Sequence, residues 1–151
     1  MAHFRNDPII YGAALNYGRT NIDKEIERMY KKCEAGADYF LTQTIYSDED
    51  IKRIEYIKSK VDTKILCGIM PLVSYRNAMF MKHEIYGVRV PDEVVNRYSP
   101  DMTREEGENT GISIALEIVK KLENIADGYY FMIPFNRVEM IQKILKQMCL
   151  D

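Results

Sequence analysis

The chain has 151 residues, of which 46% are hydrophobic, and its formal net charge is −2 at pH 7. This length is sufficient for one domain with a sizeable core. The balanced charge argues against a nucleic-acid or membrane surface, because each of these needs a concentrated basic face.

Cysteine usage and the amino-terminal residues favour a cytoplasmic protein without a bound metal. Cys33, Cys67 and Cys149 are widely spaced, and only two histidines accompany them. Neither a disulfide framework nor a zinc site is therefore indicated. The first residues lack an apolar signal core, and no apolar run is long enough to span a bilayer.

The first half of the chain predicts two strand and helix units. A uniformly apolar run over 8–15 is typical of a parallel strand covered on both faces. A helix over 21–36 begins at an asparagine cap and ends at a glycine. A short strand over 39–41 follows, and a capping box opens a second helix over 47–61.

The second half repeats this alternation. Its predicted elements are a strand over 64–71, a short helix over 75–83, one or two helical turns over 92–98, a capped helix over 103–124, a strand over 127–133 and a helix after Arg137. Gly107 and Gly111 weaken the long helix unless something packs closely there. The last helix is expected to bury Val138, Ile141, Ile144, Leu145 and Met148. Five aromatic residues are expected to pack in the core or against helices and not to form a stacking platform: Tyr75, Phe80, Tyr129, Tyr130 and Phe131.

The element order predicts an α/β fold made of four β/α units around one parallel sheet. A closed (β/α)8 TIM barrel needs eight such units and about 250 residues. This chain supplies half of that number, so we expect a single domain over 1–151 with the architecture of half a barrel. In such folds ligands bind beyond the carboxyl ends of the strands.

Polar residues at those strand ends are the candidates for a site. Gln43 presents an amide that can pair with the edge of a heterocycle without burying a charge; the alternative is a hydrogen bond to neighbouring backbone. Arg137 offers a planar fork suited to a carboxylate, and the alternative is a salt bridge with Glu139 or a contact at the start of the helix. Lys31 and Lys32 end the first helix, where they form either a solvated pair or a phosphate contact.

Three segments carry a family resemblance. GADYFLTQ over 36–43, GIMPLVSYRN over 68–77 and PFNR over 134–137, in this order and spacing, resemble the methylenetetrahydrofolate reductase family. The segment over 100–107 is similar to the reductase part of the bifunctional homocysteine S-methyltransferase/5,10-methylenetetrahydrofolate reductase. The resemblance covers 8–151 and corresponds to the second half of the family's barrel.

The resemblance implies a reaction and a set of residues. The family uses FAD and NADH or NADPH to reduce 5,10-methylenetetrahydrofolate to 5-methyltetrahydrofolate. By this resemblance Gln43 is the catalytic, folate-contacting glutamine, and Asn77 and Arg137 line the substrate side. The residues expected on the FAD side are Arg28, Lys31 and Lys32.

The resemblance also leaves part of the machinery unmatched. The family's proton-donating glutamate and the aspartate near the flavin ring belong to the first half of the barrel, to which no segment of this chain corresponds. The chain is therefore expected either to supply half of a catalytic barrel or to be a non-catalytic half-barrel fragment. In both cases we expect self-association or a partner chain carrying the first half.

Overall fold

The computed structural model describes residues 9–149. Its elements are β1 (Tyr11–Ala14), α1 (Ile22–Glu34), β2 (Ala37–Thr44), α2 (Asp48–Lys58), β3 (Lys64–Ile69), α3 (Tyr75–Glu84), α4 (Asp92–Val95), α5 (Arg104–Leu122), β4 (Gly128–Phe131) and α6 (Val138–Met148). A 3-10 turn, Pro134–Asn136, joins β4 to α6. Within 9–149, no helix combines the length and the apolar character needed to cross a membrane.

The four strands form one sheet in the order β1-β2-β3-β4, and every neighbouring pair is parallel. One row of the sheet runs across all four strands through Ala14, Leu41, Leu66 and Gly128. The predicted α/β fold with four parallel strands is thus confirmed. Because the strands are parallel, their carboxyl ends meet at one edge of the sheet, here called the carboxyl rim.

The helices cover one face of this sheet. Phe40, Ile65 and Cys67 point to that face and are fully buried, because side chains alternate between the two faces along a strand. Ile54 and Ile57 of α2 are also fully buried and belong to the same core. Helix residues at spacings of three and four therefore form the apolar stripes that pack on the sheet.

The opposite face of the sheet, here called the inner face, is covered by no helix in the described part of the chain. Its larger side chains are Tyr39, Leu41, Gln43, Leu66 and Tyr130, none of which is fully buried. The prediction that the first strand is covered on both faces is wrong, because three of the four residues of β1 are exposed. Pro8, where that prediction began, lies outside the described residues.

Several predicted boundaries and burials need correction. The strand predicted over 39–41 extends over Ala37–Thr44, and the turns predicted over 92–98 are a single turn, Asp92–Val95. Val138 and Leu145 are 44% and 42% exposed instead of buried, and Phe80 is 52% exposed. Ile141 and Ile144 of α6 are buried as predicted, and Met140 is buried with them. Helical spacing locates an apolar stripe, but its width depends on how many neighbouring elements pack against the helix.

The two predicted capping boxes have different outcomes. At α5 the box is complete, since Thr103 accepts from the Glu106 backbone and the Glu106 carboxylate accepts from the Thr103 backbone. At α2 the Ser47 side chain accepts from the Asp50 backbone at 3.1 Å. The Asp50 carboxylate does not return the contact within residues 9–149. Asp50 is instead fully buried, which the sequence did not indicate.

Candidate functional site

Gln43 lies on the inner face, next to last in β2, and its side chain is exposed. The sequence predicted that it follows a shorter strand, and the structure places it inside the strand. The register between β2 and β3 shifts at this point, because Leu41 pairs with Leu66 whereas Thr44 pairs with Gly68. An extra residue in one strand is a β-bulge, which commonly redirects a side chain next to a functional site. Among residues 9–149 the Gln43 amide has no hydrogen-bond partner, so the alternative of a backbone contact is not observed.

Asn77 follows β3 and begins α3, where it is almost fully buried. Its side-chain oxygen accepts a hydrogen bond from the Val73 backbone at 3.1 Å, and its own backbone donates to Ser74 at 3.2 Å. Half of the amide of Asn77 is therefore committed to shaping the loop after β3. Only its amide nitrogen is left to face a ligand.

Arg137 follows β4 and pairs with a residue that the sequence did not suggest. Its Nη1 lies 3.1 Å from Glu108 Oε1 of α5, not beside Glu139, and its side chain is 21% exposed. The preceding residues, Phe135 and Asn136, both have positive φ angles, of 48° and 58°. Such conformations are costly outside glycine and cluster at ligand sites. The strained turn brings the Phe135 ring to 5.9 Å from the Arg137 guanidinium.

A second group of charged residues surrounds the end of β1. Glu25 of α1 is 2% exposed, accepts a hydrogen bond from the Asn16 backbone at 3.0 Å, and lies 3.2 Å from Arg19 and 3.4 Å from Arg28. An open hollow of about 330 Å³ beside this cluster is lined by Asn16, Gly18, Arg19, Thr20, Asn21, Lys24, Arg28 and Tyr86. Three cationic side chains around such a hollow provide a surface suited to an anionic group.

The two lysines expected on the cofactor side lie apart from this hollow. Lys31 is exposed in the last turn of α1. Lys32 donates a hydrogen bond to the Ala14 carbonyl oxygen at 2.5 Å and lies 5.9 Å from the centre of the Phe40 ring. The neighbouring backbone of Leu15 bonds to β2. Because successive residues direct their backbone groups to opposite edges of a strand, Lys32 covers the outer edge of β1, a common protection against unwanted strand pairing.

The carboxyl rim therefore brings together Gln43, Asn77 and Arg137, each at the end of a neighbouring parallel strand or just beyond it. Arg28 lies further along the same rim, beside β1. The sequence did not single out Glu108, which binds Arg137, because nothing local to either residue predicts a contact across 29 positions. It likewise did not single out Thr42 or Tyr130, which read as a strand former and a core aromatic.

A comparison with protein families identifies the family to which this chain belongs. A family model described as methylenetetrahydrofolate reductase matches residues 11–149. The chain belongs to the methylenetetrahydrofolate reductase family. The recognised resemblance is thus confirmed, whereas the closer likeness to the bifunctional form stays a prediction.

Individual relatives of the methylenetetrahydrofolate reductase family agree with this assignment. Methylenetetrahydrofolate reductase 1 of Schizosaccharomyces pombe is 27% identical over 111 residues, covering 72% of this chain and 18% of the relative. The 5,10-methylenetetrahydrofolate reductase of Buchnera aphidicola is 26% identical over 118 residues, covering 74% of this chain and 39% of the relative. The chain spans well under half the length of these curated relatives.

One solved structure has a similar fold. It is described as an uncharacterized protein from Clostridium thermocellum that binds two copies of 5-methyl-5,6,7,8-tetrahydrofolic acid. The TM-score is 0.59 at 19% identity, and the match covers 91% of this chain and 51% of that one. The four-stranded sheet of this methylenetetrahydrofolate reductase family member thus corresponds to about half of a larger fold.

A buried carboxylate near the rim yields a pH prediction for this reductase family member. Both Asp50 carboxylate oxygens are buried without a hydrogen-bond partner in the described part of the chain, and the nearest cation, Arg89 Nε, is 3.7 Å from Oδ1. Burial raises the pKa of Asp50, and the nearby Glu49 carboxylate raises it further, against the lowering effects of the Ser47 hydroxyl and the Arg89 and Arg53 cations. The folded state therefore holds this proton more tightly than the unfolded chain does.

We expect the free energy of unfolding of the wild type to fall, relative to that of Asp50→Asn, as pH rises from about 4 towards 7. The reason is that the buried Asp50 carboxyl group destabilises the fold only in its ionised form, which becomes populated as the pH rises. Chemical denaturation of both proteins at several pH values measures this difference. Glu49→Gln is a control with the opposite sign at lower pH: a hydrogen bond from Arg89 lowers the pKa of Glu49, so the stability of the wild type relative to this variant rises with pH below about 4.5. A difference between wild type and Asp50→Asn that does not change with pH would contradict the prediction.

Proposed function

We propose that this chain forms the folate-binding half of a methylenetetrahydrofolate reductase site, with Gln43 as the residue that contacts the pterin. The observation that carries the proposal is the exposed Gln43 amide, free of hydrogen bonds among residues 9–149, at a bulge on the inner face of the sheet. A planar amide offers one acceptor and two donors, which matches the alternating edge of a pterin. Family membership and the description of the structural neighbour as a folate-binding protein support the choice of ligand.

Arg137 and Asn77 complete the substrate side of this proposal. The Nη1 atom of Arg137 is buried, and its contact with Glu108 is not aligned as a hydrogen bond. The guanidinium carries other donors, and the exposed 21% of the side chain is the part that can bind a substrate carboxylate or carbonyl group. The amide nitrogen of Asn77 is the corresponding donor on the neighbouring strand end. Glu108 then keeps Arg137 oriented towards the rim.

The residues beside β1 are compatible with FAD. The hollow lined by Arg19, Lys24 and Arg28 suits the negative charge of a diphosphate, and Glu25 holds both arginines in place. Lys31 and Lys32 remain expected contacts, although neither lines the hollow. When bound, FAD supplies the relay of a hydride from NADH or NADPH to the folate.

The proposed reaction needs a proton at the substrate nitrogen as well as a hydride at carbon. The resemblance assigns that proton donor to the first half of the barrel, so we propose that turnover requires that half in addition to the half formed by residues 9–149. The uncovered inner face and β4, at one end of the sheet, supply the surfaces against which that half can pack. A second copy of this chain and a separate chain carrying the first half are both compatible with those surfaces.

Gln43→Glu tests the role of the amide. We expect the affinity for 5-methyltetrahydrofolate to fall at least about tenfold, because a carboxylate removes two donors and places a negative charge beside the pterin. Flavin affinity should be unchanged. Isothermal titration of both ligands into the purified chain measures the two effects. Gln142→Glu, an equivalent change at an exposed position of α6, is the matched control.

An equal loss of folate and flavin binding in Gln43→Glu would contradict the role assigned to Gln43. The second candidate function, a non-catalytic half-barrel, is favoured by the inner face of the sheet, which no helix covers among residues 9–149. It predicts that the purified chain shows no flavin absorbance even after FAD is added, both alone and with a first barrel half supplied. Flavin binding and methyltetrahydrofolate formation in the mixture would instead support the reductase.

A further inference from the structure

The bulge that carries Gln43 is held by a side chain in place of the usual sheet hydrogen bonds. The Gly68 backbone N–H of β3 donates to the Thr42 hydroxyl at 3.0 Å, and that hydroxyl donates to the Gln43 carbonyl oxygen at 2.7 Å. The regular pattern resumes one residue after the end of β2, where the Ile45 N–H donates to the Gly68 carbonyl at 3.2 Å. Thr42 therefore satisfies a buried donor that the extra residue in β2 would otherwise leave without an acceptor.

A tyrosine of β4, two strands away from β2, bonds to the same bulge. The Tyr130 hydroxyl of β4 donates to the Thr42 carbonyl oxygen across the intervening strand β3. This reach requires a glycine at position 68, because a Cβ atom there would lie 2.9 Å from Tyr130 Cζ and 3.1 Å from the Gln43 carbonyl oxygen. The Thr42 carbonyl, on the amino side of Gln43, thus accepts a hydrogen bond from β4. The Thr42 hydroxyl accepts one from the Gly68 N–H of β3.

The hydroxyl groups of Thr42 and Tyr130 are both engaged with backbone, and Thr42 is 3% exposed. The Thr42 hydroxyl can therefore influence a ligand only through the conformation of Gln43. The direction of an amide matters strongly for recognition, since small displacements of a bound group cost large factors in binding and rate.

We propose that Thr42 and Tyr130 are positioning residues that fix the bulge in β2 and thereby set the direction in which Gln43 presents its amide to folate. The inference rests on the proposed function of Gln43 and adds two hydroxyl groups that bond to the backbone around it. It assigns Gly68 the role of leaving room for Tyr130. Thr42 and Tyr130 orient Gln43 and take no part in the chemistry of the reaction.

The test compares Thr42→Val, which keeps the shape but removes the hydroxyl, with Thr42→Ser, which keeps the hydroxyl. We expect Thr42→Val to bind 5-methyltetrahydrofolate about tenfold more weakly than the wild type does. Thr42→Ser should bind it with an affinity within about twofold of the wild-type value. Tyr130→Phe should weaken binding in the same direction. NMR spectra of the free proteins provide a readout independent of affinity, since the side-chain amide signals of Gln43 should shift in Thr42→Val and return in Thr42→Ser.

A double-mutant cycle with Gln43→Ala separates positioning from general destabilisation. If Thr42 acts through Gln43, Thr42→Val has no further effect on folate affinity in the Gln43→Ala background. An equal loss in both backgrounds, or unchanged affinity of a folded Thr42→Val, overturns the positioning role while leaving the proposed function standing. If Thr42→Val does not fold, Tyr130→Phe replaces it in the same cycle. Absence of folate binding by the folded wild type, alone and with a supplied first half, overturns the proposed function and this inference together.

Discussion

Gly111→Ala is expected to destabilise the protein by about 3 kcal/mol, although alanine is the better helix former. A Cβ atom at Gly111 would lie 2.9 Å from the Leu72 carbonyl carbon and 3.2 Å from the Tyr98 hydroxyl, and still nearer to the Leu72 carbonyl oxygen. The obstacle is backbone, which cannot move aside as a flexible side chain can. Helix α5 would have to shift away from the loop after β3.

Thermal and chemical unfolding of Gly111→Ala measure this loss, which corresponds to a fall in Tm of about 10 °C for a domain of this size. Asn109→Ala, an exposed change to the same residue type two positions earlier in α5, is the control. Its free energy of unfolding should change by no more than a few tenths of a kcal/mol. A gain of about 1 kcal/mol in Gly111→Ala, the value that helix propensity alone predicts, would show that the close packing is not limiting.

The same substitution has a consequence at the rim. Glu108, which pairs with Arg137, lies one turn before Gly111 on α5. A shift of this helix therefore moves the group that orients Arg137. We expect Gly111→Ala to weaken folate binding as well as stability, whereas Asn109→Ala should affect neither.

Glu25→Ala should have the second largest effect, about 2 kcal/mol of stability together with most of the flavin affinity. The substitution removes a buried acceptor from the Asn16 backbone and leaves Arg19 and Arg28 without their shared carboxylate. Both arginines are about half exposed, so water compensates part of the lost ion pairing. The Asn16 N–H also loses its acceptor, so the loop that lines the hollow is no longer held to α1.

Denaturant unfolding and flavin titration of Glu25→Ala provide the two measurements. Glu25→Gln keeps an oxygen for Asn16 while removing the charge, so it should retain more stability than Glu25→Ala. Glu27→Ala, an exposed change on the same helix, should stay within about 0.5 kcal/mol of wild type. Stability of Glu25→Ala equal to that of Glu27→Ala would mean that the buried carboxylate does not hold the loop.

Element order and type followed from the sequence because they depend on local signals. Apolar runs, helix caps such as Thr103 and terminators such as Gly36 act within a few residues, and the alternation of strands and helices permits few arrangements other than a parallel sheet. The shared carboxyl rim is a direct consequence of that sheet. For the same reason Gln43 and Arg137 could be selected as neighbours before their contacts were known, whereas Asn77 was selected by the family resemblance.

The relations that shape the site are between residues far apart in the chain, and they required the folded structure. The hydroxyl of Tyr130 meets the carbonyl of Thr42 across 88 positions, Glu108 reaches Arg137, and Asp50 is buried without a matching donor among residues 9–149. No periodicity or cap predicts such contacts, since each depends on the relative placement of two elements and not on the propensity of either. The sequence could therefore predict which strand ends carry the candidate site. Only the packing of the sheet determined how Gln43 is held there, because the extra residue in β2 becomes a bulge only when β3 lies beside it.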